Sequence, residues 1–152
     1  MTSQILLDAD WKPHLFRWAG PVDELQLAAW LQRRGEDVPV QLVDFWLKTG
    51  GGEVFESEMM LHPLDLTSDD SIENVERYHH GRGLPEGHLP FHEGACGLSV
   101  VRSKDAAYLN LDDRTYQLRG SYASFDDWYR RVIRKEFAAR YGLPILAGAP
   151  WN

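Results

Sequence analysis

The chain has 152 residues, a formal charge of −7, 43% hydrophobic and 12% aromatic content, and one cysteine. That length and apolar content suffice for a single domain burying roughly 70% of its extended-chain surface, which excludes a disordered chain. The lone Cys96 excludes an internal disulfide framework and suits a reducing, cytoplasmic compartment; no leader-like basic-then-apolar start is present, and no apolar run nears the ~20 residues of a membrane span.

The first 22 residues read as an arm, an irregular segment or edge strand with Trp11, Phe16 and Trp18 set around Pro13. Pro21 and Asp23 open a helix running to Arg34, with Leu27 and Leu31 on one face and Gly35 as its stop. A second helix starts at Val38-Pro39, where a proline's missing N–H has no partner to lose. Leu42, Val43, Trp46 and Leu47 share its apolar face, and Gln41, Asp44 and Lys48 lie away from it. Gly50, Gly51 and Gly52 end it through left-handed backbone. The following segment predicts one strand, with Phe55, Ser57, Met59 and Leu61 on one side and Glu56, Glu58 and Met60 on the other.

Residues 61–70 connect to a short helix capped by Asp70 or Ser71, reaching His80, with Ile72, Val75 and Tyr78 inward. Five glycines and two prolines across residues 81–97 predict a loop, apart from a short extended piece at 89–91. Residues 98–102 and 107–111 predict a hairpin around the turn at 103–106, and residues 115–119 a third antiparallel strand. Ser124 caps the closing helix, with Asp126 and Asp127 at its positive end. Phe125, Trp128, Tyr129, Val132, Ile133, Phe137 and Tyr141 form its apolar stripe; Arg130, Arg131, Arg134 and Lys135 lie opposite. Gly142 and Pro144 stop the helix, and residues 142–152 predict a docked apolar tail.

The unit from Val38-Pro39 through Gly51-Gly52 into a strand resembles the signature of the SUKH superfamily, which groups fungal cell-wall assembly regulators of the Smi/Knr kind with many bacterial toxin-immunity proteins. Leu89-Pro90-Phe91, the hairpin at 98–111 and Ser124-Phe125 follow in that family's order, so the resemblance covers about residues 23–141. Ala95-Cys96-Gly97 departs from it, standing where many members carry a glycine-rich stretch with an acid or amide. The resemblance implies a single α+β domain: a mixed or mainly antiparallel sheet of about four to six strands packed by three to four helices. It also implies a non-enzymatic binding protein, either an immunity protein or a regulatory, scaffolding module.

Charge is unevenly spread. Between Glu36 and Glu76 eleven acids oppose Lys48 alone, whereas five cations oppose Glu136 alone between Trp128 and Arg140. An acidic surface repels phosphate backbones and attracts a basic protein, although acidic residues also simply keep a small protein soluble. The resemblance implies that the partner is a basic toxin domain, with neither nucleic acid nor a membrane. Its contact is expected on Glu53, Glu56, Glu58, Asp65, Asp69, Asp70 and Glu73, with exposed members of Trp11, Trp18 and Tyr78 as anchors.

No chemistry-bearing set emerges. His88, His92 and Cys96 recur every four residues, a metal-ligand spacing only on a helix that Gly87, Pro90 and Gly94 interrupt; His79, His80 and Glu93 are nearby. Histidines in a polar loop are ordinarily solvated, so no metal site is expected. Cys96 reads as a small buried residue at a strand start rather than a nucleophile. Glu56 and Glu58 share a predicted strand face, but two carboxylates perform acid–base work only when burial splits their pKa values. The triple glycine precedes a strand, not the helix of a phosphate loop or dinucleotide fingerprint, so no cofactor is expected.

Overall fold

The computed structural model describes residues 3–146. Among them, seven strands form one antiparallel sheet in chain order: β1 (Phe16–Trp18), β2 (Gly52–Val54), β3 (Glu58–Met60), β4 (His88–Gly94), β5 (Gly97–Arg102), β6 (Ala107–Leu111) and β7 (Leu118–Tyr122). The helices are α1 (Gln4–Trp11), α2 (Glu24–Arg34), α3 (Val40–Thr49), α4 (Ile72–His80) and a closing helix. That last one begins as α5 (Phe125–Trp128), widens into a π-helical stretch (Tyr129–Arg134) and ends as α6 (Lys135–Tyr141). The fold is a single α+β domain, with more strands than the four to six expected.

The register sorts the sheet into two faces, because residues paired across strands share a side. Trp18, Gly52, Met60, His92, Ser99, Asn110 and Gly120 run across the inner face, over which α3 and the closing helix pack. Phe91 meets Trp128 edge-on at 4.7 Å and Phe45 meets Phe125 at 5.0 Å, all four fully buried. Each such side chain contributes roughly 1.5–3 kcal/mol by leaving water. Arg17, Glu53, Met59, Glu93, Leu98, Leu111 and Leu118 form the corresponding row on the outer face. Next to β4 that face is closed by α4.

The glycine turn has a steric cause. Gly51 and Gly52 have φ of 83° and 149°, and a Cβ on them would lie 2.6 Å from the carbonyl oxygens of Met60 and Leu61 and 2.1 Å from that of Arg17. The turn threads between β1 and the exit of β3 only because it lacks side chains.

Several expectations are corrected. The arm contains α1, although its edge-strand reading holds at β1. The strand after the glycines is instead a hairpin, β2–β3, turning at Phe55 and Glu56 with φ of 52° and 68°. Left-handed backbone costs a non-glycine residue about 1–2 kcal/mol. Here the buried Phe55 ring offsets it, lying 5.1 Å from Phe137, 5.5 Å from Tyr141 and 5.2 Å from Phe16. The loop expected at 81–97 holds β4. Pro90 has no ladder N–H to give, and the register shifts between Pro90 and His92, so a bulge admits it.

The third strand of the meander starts at Leu118, not residue 115. Asp112 Oδ1 accepts the N–H groups of Arg114 and Thr115, both at 2.9 Å, and holds residues 112–117 in a turn. In α4 it is His79, not Tyr78, that points inward. Arg134 is likewise buried rather than solvated. The π-helical stretch inserts a residue into the helical repeat, rotating Arg134 onto the packed side, where its Nε donates to Asp8 Oδ2 at 2.8 Å and an Nη2 to Pro144 O at 2.6 Å. Of the tail expected to dock, Leu143 is buried and Ile145 is 83% exposed, and residues 147–152 lie outside the described region.

Candidate functional site

The seven acids proposed as a contact surface do not share one environment. Glu53 is half-buried on the outer face of β2, and Glu56 is exposed at the hairpin tip. Asp65 is exposed and accepts the Thr67 N–H and O–H, bonds that hold its carboxyl below the usual range; it borders a recess of about 130 Å³ beside Gly50 and His62. Asp69 is exposed and Asp70 half-buried in the connector. Glu73, at the first turn of α4, accepts the indole N–H of Trp30 at 2.8 Å, tying that helix to α2. Trp11 and Tyr78 are exposed, while Trp18 packs edge-on against Phe45 at 5.4 Å.

Glu58 is withdrawn from the surface, at 1% exposure. The hairpin turn sends it to the inner face, where Oε1 accepts His92 Nε2–H at 2.9 Å and Cys96 N–H at 3.0 Å. Its Oε2 accepts Ser57 O–H at 2.7 Å and Ala95 N–H at 3.0 Å. Burial pushes its carboxyl up, but the hydrogen bonds from His92, Ser57 and Cys96 bring the net pKa below 4.5. Ser99 Oγ accepts from Trp128 Nε1 at 2.9 Å and Asn110 Nδ2 at 3.1 Å, so its own proton goes to His92 Nδ1 at 2.8 Å. That inventory leaves the imidazole proton on Nε2, aimed at Glu58. Glu56 and Glu58 therefore do not act as a carboxylate pair.

The histidine and cysteine candidates are also separated. His88 Nδ1 faces Glu86 O at 3.0 Å at the mouth of β4, His92 is spent on Ser99 and Glu58, and Cys96 sits in the β4–β5 turn. Among the described residues no three His, Cys, Asp or Glu side chains gather as a metal site. Burial and the neighbouring Glu58 carboxylate push the Cys96 thiol up to about 12, the opposite of what a nucleophile requires.

The outer face carries a cleft that sequence reasoning missed. It has a volume of about 770 Å³ between α4, the end of β4 and the turn at 112–117, and its rim holds Asp69, Glu93, Asp113, Arg82 and Arg114. In its wall the buried His79 meets Glu93 through Nε2 and the Tyr116 hydroxyl through Nδ1 at 2.8 Å. The Glu93 carboxylate accepts the Nε2 proton, Nδ1 and the Tyr116 hydroxyl share a hydrogen bond, and burial pushes the phenol up. Tyr116 reaches this position from φ of 59°, a strained backbone set by the Asp112 turn. The relay fixes the shape and charge of this recess. Glu93 was hidden by the glycine-rich composition around it; its signal is its place one residue after His92 on an alternating strand.

An antiparallel sheet with α3 and the closing helix on its inner side, and α4 beside a charged recess on its outer side, defines an α+β domain. The family model of the SMI1/KNR4 family (SUKH-1) matches residues 21–131, and the chain belongs to that family. The family includes immunity proteins and Smi1/Knr4-like regulators, and its domains are generally non-catalytic. Among curated proteins none matches the chain. No described helix is long and apolar enough to cross a membrane.

Proposed function

We propose that this domain is a cytoplasmic immunity protein that neutralises a basic toxin domain, such as a nuclease, by binding it without catalysis. The observation that supports this reading most is the acidic line on the outer face. Glu53 and Glu93 lie in one cross-strand row with Met59 between them, roughly 10 Å apart by strand spacing, with Arg17 on the far side of Glu53; Glu93 opens into the cleft, whose rim holds Asp69 and Asp113 together with Arg82 and Arg114. An acidic row beside a recess offers a basic surface both long-range attraction and a place to seat one anchoring side chain. Glu53, Glu56, Asp65, Asp69, Asp70 and Glu73 remain the proposed contact, with Glu93 and Asp113 added and Glu58 removed. Trp11 and Tyr78 are the exposed aromatics available as anchors.

The test is growth rescue: cells expressing a toxin encoded beside this gene survive when the chain is co-expressed. Glu53→Lys with Asp69→Lys abolishes rescue while leaving the protein folded. No rescue by the native chain refutes the immunity reading, and rescue untouched by the double reversal refutes the contact face.

A further inference from the structure

We propose that β7 and the groove beside it form a second docking site, which takes an extended, carboxylate-rich peptide as an eighth strand. This site is independent of the acidic face and of the immunity reading.

β7 is the last strand of the sheet; β6 pairs with one side, and no strand among the described residues pairs with the other. An edge of this kind presents unpaired N–H and C=O groups to any extended chain that fits them. Three of its five residues, Leu118, Arg119 and Ser121, are exposed.

The inner side of the same strand is grooved. A channel of about 300 Å³ lies between β7 and the closing helix, and one of about 510 Å³ continues from it beneath that helix past Asn110 to Cys96 and Ser57, the two sharing Tyr122 and Arg131. Arg119, Arg131, Lys135 and Arg140 line this path, with Glu136 as the one carboxylate in its lining. The aromatic side chains steady two of the cations: Arg131 lies over Tyr122 at 5.9 Å and Arg140 over Phe137 at 5.4 Å. Ion pairs with Asp112 at 3.0 Å and Asp127 at 3.9 Å moderate Arg119 and Arg131, whose side chains remain 48% and 46% exposed.

Four cations in one groove stand out on a chain of charge −7. Charge complementarity selects an anionic ligand, and the open strand edge selects a peptide, because only a polypeptide returns backbone hydrogen bonds in register. A long nucleic acid meets the repulsion of the whole acidic molecule, whereas a short acidic segment feels chiefly the local cations.

The test uses a fluorescein-labelled peptide of about six residues alternating glutamate and valine, titrated with the full chain by fluorescence anisotropy. Strand addition engages alternate amides, so N-methylation of one alternate set abolishes binding and methylation of the other set leaves it intact. Lys135→Glu with Arg140→Glu, both at exposed positions, lowers affinity by roughly tenfold or more at low salt, and Arg33→Glu on α2 leaves it unchanged. The proposal is overturned if both methylation patterns bind alike, if the double reversal binds as well as the native chain, or if millimolar peptide does not bind. It is also overturned if polyphosphate of the same charge competes as well as unlabelled peptide, which marks a phosphate groove instead.

Discussion

Replacing Glu58 tests whether the glutamate after the triple glycine holds the fold together rather than meeting a partner. Its side chain is fully buried and four donors converge on it: two backbone N–H groups, an imidazole and a hydroxyl. Glu58→Gln preserves the shape but turns one oxygen into a donor. Either oxygen already receives a backbone N–H, from Cys96 or from Ala95, so the new amide group opposes a donor whichever way it is placed. Leaving one buried donor unsatisfied costs about 1–3 kcal/mol, and losing the charge weakens the bonds that remain. The expected loss is about 2–4 kcal/mol for Glu58→Gln and about 3–5 kcal/mol for Glu58→Ala. For a chain of this size each kcal/mol lowers Tm by roughly 2–4 °C.

Urea unfolding at neutral pH measures the loss as a shift in midpoint at unchanged slope. The pH dependence adds a second reading. The folded pKa of Glu58 lies below its ordinary 4.5, so the unfolded chain binds its proton first as pH falls. This contribution is complete above 4.5 and is lost as pH falls through the folded value; Glu58→Gln lacks it throughout. The stability gap between native chain and variant therefore narrows on acidification across that window. A neutral-pH gap under about 0.5 kcal/mol, the range of ordinary surface substitutions, refutes the reasoning.

Gly52→Ala is expected to cost more than about 3 kcal/mol, since its Cβ would lie 2.1 Å from the Arg17 carbonyl oxygen at φ of 149°; a soluble variant with near-native Tm contradicts this. Asp8→Ala removes the carboxylate that faces the buried Arg134 guanidinium and accepts the Tyr129 hydroxyl at 2.6 Å, and should cost about 3–5 kcal/mol in urea unfolding. Cys96, with its thiol pushed up to about 12, should react with a disulfide reagent at pH near 8 far more slowly than in the urea-unfolded chain. Because the Glu58 carboxylate contributes to that shift, Glu58→Gln should speed the Cys96 reaction in the folded state. For the proposed toxin complex, stopped-flow association should slow steeply with added salt, and Glu53→Lys with Asp69→Lys should flatten that slope; an on-rate indifferent to salt removes electrostatic steering.

The elements that were legible in the sequence are those whose signals are local. Asp23 and Ser124 each accept a backbone N–H three residues on, at 2.9 Å and 3.0 Å, as their cap positions predict. Gly35 and Gly142 end their helices in left-handed backbone, and the hairpin at 98–111 pairs around its predicted turn. The illegible elements rest on tertiary compensation. Nothing local marks Phe55-Glu56 as a turn, because its left-handed backbone is held by rings contributed from β1 and α6. Nothing local marks Arg134 as buried, because its partner Asp8 lies 126 residues away.

The same reasoning explains why the site was only partly legible. Composition located the negative charge correctly along the chain, but charge along a chain is not charge on a face. The β2–β3 turn flips Glu58 inward, so Glu53 finds its companion not two or four residues along the chain but in Glu93, two strands away. The inward Glu58 is then what fixes the outer face. By accepting from Ala95 and Cys96 it pins the β4–β5 turn against β3, and that turn sets the register in which Glu93 stands beside Met59, with Glu53 on the far side of Met59. A buried carboxylate orders the strand that presents an exposed one. Weakening it should therefore loosen the acidic row before any surface residue is altered.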